Sequence, residues 1–302
     1  MPGAAARPGA GGEVRNFSRA LTRFVPHFVL LPSHYNASVS SDLERLAVAC
    51  STGSFWMWDL ERTFGTIAEA GFESVELMVT RDPLTQSARV PRDLAKKYGL
   101  TICAVHAPML VVTRRVWGPS FFNIIDRSVD LAQQLDAGVV VIHPPFLFEL
   151  KYQAWLLGEM EQYSRNRGLA VAVENMFHLW VKGKAVRGHR WLSPADLDGF
   201  HNITLDTSHC GVDGTDILSA LDQVGPHLSH IHLSDSRGDH RDNHALPGSG
   251  ILPLGKFVTR LPEVGYRGTV SLELDMREWI PEPGRLADLL RKARDFTLEC
   301  LA

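Results

Sequence analysis

The chain has 302 residues, 45% of them hydrophobic and 22% charged, with a formal net charge of −3. That composition fits a globular protein whose core can be buried without disulfides, and it carries no global basic field that would single out nucleic acid as a partner. The four cysteines, Cys50, Cys103, Cys210 and Cys300, form no CxxC pair and read as reduced thiols of a cytoplasmic protein, and no run approaches the ~20 apolar residues of a membrane span.

Residues 1–44 read as an irregular N-terminal extension, partly disordered. The first 15 or so are rich in Gly, Ala and Pro, and Phe17–Asp42 has no clear periodicity. Within it, Phe24–Leu31 is apolar but interrupted by Pro26 and His27, which is not the core of a signal peptide.

Regular order begins near Leu46 and alternates between two periods. A first strand is expected over Arg45–Ser51 and a helix over Trp58–Ala70, closed by Gly71. Phe72–Val79 is the second strand, Pro91–Tyr98 a short helix ending at Gly99, and Thr101–Val105 the third strand. Phe121–Leu135 has helical spacing, with Ile124, Ile125, Val129, Leu131 and Ala132 on the buried face. Gly138–Ile142 is β-branched apart from its Gly, as a strand covered on both faces should be.

A helix over Ala154–Arg167 and a strand over Leu169–Val173 repeat the unit. The segment Phe177–Trp191 is a long basic loop, with Lys182, Lys184, Arg187 and Arg190, and reads as a lid or as a solvated surface loop. Ser193, with Asp196 three residues on, forms a capping box for a short helix. Ile203–Leu205, Leu228–Leu233 and Thr269–Leu274 are the remaining strands, and Ile217–Val224, Leu252–Leu261 and Arg285–Leu301 the remaining helices.

Strands alternating with helices over short connections make a parallel sheet, and eight such units suggest a closed (β/α)8 TIM barrel over residues 45–302. An open doubly wound sheet is the competitor; its dinucleotide form loses support because no GxGxxG follows the first strand.

The chain holds 13 histidines, and their placement carries the functional reading. At the ends of successive strands stand His106, His143, Glu174, Asp206, His232 and Glu273, separated by 26 to 41 residues, about one strand-helix unit each. Barrel enzymes gather their chemistry at this end, and all six are nitrogen or oxygen donors suited to Zn or Mn. Taken singly, a histidine after a strand is more often a packed, hydrogen-bonded side chain than a ligand. A carboxylate closing an apolar strand, as Glu174 does in Val171-Ala172-Val173-Glu174, is costly to bury unpaired. Two local motifs extend the set: Asp206 with His209, and Asp242 with His244, the latter in a loop whose return is shaped by Pro247, Gly248 and Gly250.

On His106-Ala107-Pro108, His143-Pro144-Pro145, Val173-Glu174-Asn175, Leu205-Asp206-Thr207-Ser208-His209, His232-Leu233-Ser234-Asp235-Ser236 and Asp242-Asn243-His244 with Gly248 and Gly250, residues 45 to about 300 resemble the xylose-isomerase-like TIM-barrel superfamily. That group includes sugar and sugar-phosphate isomerases and epimerases as well as the endonuclease IV enzymes. In the first branch the resemblance implies one divalent ion on Glu174, Asp206, His232 and Glu273. In the second it implies three zinc ions: one on His106, His143 and Glu174, a second on Glu174, Asp206, His232 and Glu273, and a third on His209, Asp242 and His244. Met109 stands where endonuclease IV inserts a Tyr into DNA.

The expected function is therefore metal-dependent isomerisation or epimerisation of a carbohydrate-like small molecule, or a related lyase reaction. Glu174 and Glu273 would exchange a proton beside a polarised carbonyl, with His209 orienting or shuttling one. Zinc-dependent phosphodiester hydrolysis at abasic DNA is the alternative, and a scaffold without activity is a third class. Arg114, Arg115, Trp117, Lys184 and Arg187 are candidate substrate contacts. A homo-oligomer is compatible with the sequence.

Overall fold

A computed structural model describes residues 46–302 apart from 111, 112 and 114. The expectations for residues 1–44, and the one for Arg114, lie outside the described residues.

Eight parallel strands close into a barrel. In chain order the strands are β1 (Ala47–Ser51), β2 (Ser74–Met78), β3 (Thr101–His106), β4 (Val139–Ile142), β5 (Ala170–Glu174), the hairpin pair β6 (Leu179–Val181) and β7 (Lys184–Val186), β8 (Ile203–Asp206), β9 (Leu228–Leu233) and β10 (Thr269–Leu272). The barrel runs β1-β10-β9-β8-β5-β4-β3-β2 and closes on itself, so each strand pairs with its nearest barrel neighbours in sequence and the hairpin stands apart. Nine helices occur among the described residues: α1 (Leu60–Glu69), α2 (Arg89–Tyr98), α3 (Phe121–Gln134), α4 (Leu150–Gly158), α5 (Met160–Arg167), α6 (Thr207–Val212), α7 (Ile217–Val224), α8 (Leu254–Arg260) and α9 (Pro283–Leu301). None is long and apolar enough to cross a membrane.

Local chemistry sets these boundaries. The side chain of Asp59 accepts from the Arg62 amide at the start of α1, and Ser120 and Asp216 cap α3 and α7 in the same way. Gly99 and Gly168 adopt the left-handed conformation that ends α2 and α5. The capping box over Ser193 and Asp196 is present in full, on a 3-10 turn at Pro194–Leu197.

Beyond shifted bounds and the short helix α6, two segments differ from the sequence expectation. The helix expected over Ala154–Arg167 is two helices. It starts earlier, at Leu150, and breaks at Gly158 and Glu159, where Gly lowers helix propensity and Glu159 leaves helical geometry with φ −126°. The basic loop Phe177–Trp191 contains the β6–β7 hairpin, turned through Lys182 and Gly183, both at positive φ.

Alternation along the strands separates two populations. One set, including Val48, Cys50, Val75, Leu77, Val140, Ile142, Val171, Val173, Leu205, Ile231, Leu233, Val270 and Leu272, joins the apolar layer shared with the helices. The other set fills the barrel interior and is small or polar: Ala49, Ser51, Glu76, Ala104, His106, Ala172, Glu174, Thr204, Asp206, His230, His232 and Ser271, all buried. A barrel interior is more often packed with branched aliphatic side chains. Here it is a stack of ionisable groups, densest toward the C-terminal ends of the strands.

Candidate functional site

The strand-end residues converge. His106 ends β3, His143 follows β4, Glu174 ends β5, Asp206 ends β8, His232 lies one residue before the end of β9, and Glu273 follows β10. His143 Nε2 lies 3.1 Å and His106 Nε2 3.6 Å from Glu174 Oε2. His232 Nδ1 is 2.7 Å from Glu174 Oε1 and 3.0 Å from Glu273 Oε2. His106, Glu174, His232 and Glu273 each offer a ligand atom within 4.8 Å of the others, a grouping that can hold a metal ion.

A second cluster adjoins the first. Asp206, His209 and His244 present ligand atoms within the same 4.8 Å limit, and Asp242 lies 3.0 Å from His244 Nε2 and 3.7 Å from His209 Nε2. The strand-to-helix turn builds this cluster: the Asp206 carboxylate caps α6 by accepting from the His209 amide, which places the His209 ring one turn above it. Asn175 locks the turn from the neighbouring strand. Its amide donates to the Asp206 carbonyl, and its Oδ1 accepts from the Asp206 amide at 2.8 Å.

The ring nitrogens are sorted. His106 Nδ1 pairs with the Ala107 carbonyl at 3.0 Å, and His209 Nδ1 with the Asn175 carbonyl at 2.7 Å. A carbonyl only accepts, so each ring donates there and turns its Nε2 toward the acids. Backbone partners that fix the tautomer in this way are characteristic of histidines that ligate metal.

The electrostatics match a cation site. Burial pushes the Glu174 carboxyl up, but the facing imidazoles of His232, His106 and His143 hold it well below the usual carboxylate range. Burial disfavours a charged His232, yet Glu76, Glu273 and Glu174 raise it well above an ordinary histidine. His209 is pushed up to about 10, because Asp206 and Asp242 outweigh the burial that lowers it. His143 is lowered by burial, and burial raises Asp206. Glu174 Oε2 and Asp206 Oδ2 are buried, and among the described residues neither has a partner in full hydrogen-bond geometry, although His143 Nε2 comes within 3.1 Å of the first. Buried carboxylate oxygens are rarely left so, and two of them among imidazole nitrogens fit a divalent cation with mixed nitrogen and oxygen ligands, which would displace the imidazole protons.

His106, His143, Glu174, His209, Asp242, His244 and Glu273 form the floor of a cavity of about 750 Å³. Trp56 and Ser54 after β1, Arg81 and Asp82 after β2, Leu110 after β3, Met176 and Phe177 after β5, and Leu274, Asp275 and Arg277 after β10 build its wall. Arg277 is paired with Asp275. The proposed contacts Arg115, Trp117, Lys184 and Arg187 are not among the residues lining it. Arg187 instead bonds Asp196 Oδ2 at 2.9 Å, and Lys184 sits exposed on the hairpin.

Sequence reasoning passed over several participants. Glu76 and His230 lie buried beneath His232. Asp235, also buried, accepts the amides of Ser236, Gly248, Gly250 and Leu252, at 2.9 to 3.0 Å, and so shapes the loop that carries Asp242 and His244. Ser208 Oγ reaches Asp242 Oδ1 at 3.2 Å from below.

Residues 64–299 match the family model described as xylose isomerase-like TIM barrel. An uncharacterized protein of Mycobacterium tuberculosis is 33% identical over 275 residues, which span 84% of this chain and 98% of that protein. The fructoselysine 3-epimerase of Escherichia coli O157:H7 is 35% identical over 162 residues, half of this chain and 58% of that enzyme. Among solved structures, a D-tagatose 3-epimerase-like protein superposes with a TM-score of 0.65 at 21% identity, covering 85% of this chain and all of the other. The 3-keto-D-glucoside 4-epimerase of E. coli does so at 0.62 and 20%, covering 83% and all of it, and both likenesses show a shared fold. The chain belongs to the xylose isomerase-like TIM barrel family.

Proposed function

We propose that this xylose isomerase-like barrel is a divalent-metal-dependent isomerase or epimerase of a sugar or related keto-polyol, with lyase action on the same substrate class as a variant of that chemistry. The observation that carries it is the pair of carboxylates, Glu174 and Glu273, set 2.7 and 3.0 Å from one imidazole nitrogen at the floor of the cavity. Epimerases among the relatives and structural neighbours support it.

In this reading His106, His143, Glu174, His232 and Glu273 form an inner ligand set, and Asp206, His209, Asp242 and His244 an outer one. One ion on the inner set suffices for the chemistry, and the two sets together accommodate up to three, as zinc or manganese. When bound, such an ion supplies Lewis-acid polarisation of the substrate carbonyl.

The chain's own residues do the rest. Glu174 and Glu273 are both kept ionised by the imidazoles around them. One takes the proton from the carbon next to the carbonyl, and the other returns a proton on carbon or oxygen. His209, anchored through Nδ1 to the Asn175 carbonyl, holds its Nε2 toward the outer acids and shuttles or orients a proton there. Arg81 and Arg277 on the wall are basic groups available to substrate oxygens, and Trp56, Met176 and Phe177 add apolar surface beside the reacting face.

The test is a panel of ketoses and inososes offered to protein reconstituted with Mn or Zn, alongside Glu174→Gln and Glu273→Gln. Turnover lost by at least ~100-fold in both variants supports the reading. Absence of turnover across the panel, with metal content unchanged in both variants, removes it.

The completeness of the outer cluster favours one second reading, zinc-dependent hydrolysis at abasic DNA. Close to three zinc ions per chain by elemental analysis, together with incision of an abasic duplex, would establish it. The apolar wall of Trp56, Leu110, Met176, Phe177 and Leu274 suits a small molecule better.

A further inference from the structure

Beside the inner cluster, in the barrel interior, lies Glu76 of β2, fully buried. Three donors surround its carboxylate. Ser51 Oγ of β1 donates to Oε1 at 3.0 Å. His230 Nε2 and His232 Nε2, both on β9, approach Oε2 at 2.6 and 3.1 Å. The two β9 imidazoles thus share one carboxylate oxygen, and neither ring is exposed.

This arrangement dictates where each ring carries its hydrogen. An ionised carboxylate only accepts, so both Nε2 atoms facing Glu76 bear hydrogens. Among the described residues His230 has no partner at Nδ1, and its ring bond is the one to Glu76. His232 differs, because its Nδ1 points the opposite way, at Glu174 and Glu273. With Nε2 occupied from below, Nδ1 is the nitrogen turned to the centre above, and its lone pair becomes available when an ion displaces its proton.

We propose that Glu76, braced by Ser51 and His230, is the positioning residue of the metal centre: it holds His232 with Nε2–H downward and Nδ1 aimed at the ion. The proposal rests on the reading of His232 as a ligand. Glu76 touches neither substrate nor ion in this role; it acts through the His232 ring. An outer partner of a ligating histidine typically governs metal affinity by about 10–100-fold. Ser51 and His230 matter because they settle the carboxylate itself. Ser51 keeps Oε1 turned away, so that Oε2 stays between the two rings.

The experiment uses the full chain stripped of metal. The affinity for Mn and for Zn is measured by competition with a chromophoric chelator in the wild type, Glu76→Gln and Ser51→Ala. Thermal unfolding of each metal-free protein is recorded beside it. Histidine-labelled nitrogen NMR reads the tautomer of the His232 ring, assigned by its loss in His232→Gln. The expected result is a 10–100-fold weaker ion in Glu76→Gln, a smaller loss in Ser51→Ala, and an Nε2–H tautomer for His232 in the metal-loaded wild type.

Affinity within about twofold of the wild type in Glu76→Gln would refute the positioning role while leaving the metal-dependent reading intact. Should Glu76→Gln fail to fold, the wild-type tautomer decides: an Nδ1–H ring at His232 in the loaded protein rules the proposal out. A wild-type chain that takes up no divalent ion, with Glu174→Gln indistinguishable from it, overturns this proposal and the functional reading together.

Discussion

Replacing Asp235 by Asn should unfasten the loop that carries Asp242 and His244. In the native protein Oδ1 accepts from the Ser236 and Leu252 amides, and Oδ2 from the Gly248 and Gly250 amides. An Asn side chain keeps one acceptor oxygen and presents an NH₂ group in place of the other. Two backbone N–H groups then lose their acceptor and face a donor, at a cost of about 1–2 kcal/mol each because the Gly248, Gly250 and Leu252 amides are only part-buried, or about 2–4 kcal/mol in all. The strand-like bridge between Asp235 and Ala245, with bonds of 2.8 and 2.9 Å, limits how far the loop can relax to escape that cost. Urea unfolding followed by circular dichroism should show a lower midpoint with an unchanged slope. Metal titration should show weaker binding at the outer set and unchanged binding at the inner one. A stability loss below about 0.5 kcal/mol, the range of an ordinary surface substitution, would refute the reasoning.

Three further outcomes are expected. Asn175→Ala removes two buried bonds to the Asp206 backbone and should cost about 2–4 kcal/mol in chemical unfolding, with activity falling more than stability explains. Gly211→Ala brings a new Cβ to 2.3 Å from Ser236 Cβ and should cost about 1–3 kcal/mol. Gly53→Ala, whose nearest neighbour is the flexible Met78 methyl at 2.5 Å, should stay within about 1 kcal/mol; equal effects in the two would discredit the packing argument. Addition of Mn or Zn to stripped protein at about 100 times its Kd should stabilise it by about 2.7 kcal/mol, raising Tm by about 5–10 °C in a thermal scan. A midpoint insensitive to either metal would count against any specific ion site.

The fold was legible because its signals are local. Ile217–Val224 and Leu228–Leu233 follow from residues inside those spans, and Gly99 ends α2 with its own left-handed backbone. The convergence of His106, Glu174, His232 and Glu273 was legible because the closed barrel turns strand ends spread along the chain into one ring. Glu76 escaped notice although Ser74-Val75-Glu76-Leu77-Met78 carries the same signal as Glu174, a carboxylate in an apolar strand. Its partner imidazoles lie 154 and 156 residues along the chain, and only ring closure between β1 and β10 carries β9 across to it. The hairpin was missed for a different reason. Its strands have three residues each, too short for a period to register, and its turn is Lys182-Gly183 rather than the Asn-Gly that announces such turns. Arg81 and Arg277 offer no pattern in sequence, since a lone arginine after a strand acquires meaning only from the wall it joins.

That wall divides the labour of the mouth along the chain. Trp56 and Arg81 follow β1 and β2, whereas His106, His143, Glu174, Asp206, His209 and His232 come from β3, β4, β5, β8, α6 and β9. Exchange of the first two loops therefore reshapes what the cavity admits while every one of these nitrogen and oxygen donors keeps its scaffold. Descendants of such a barrel can diverge in diet without rebuilding the hearth.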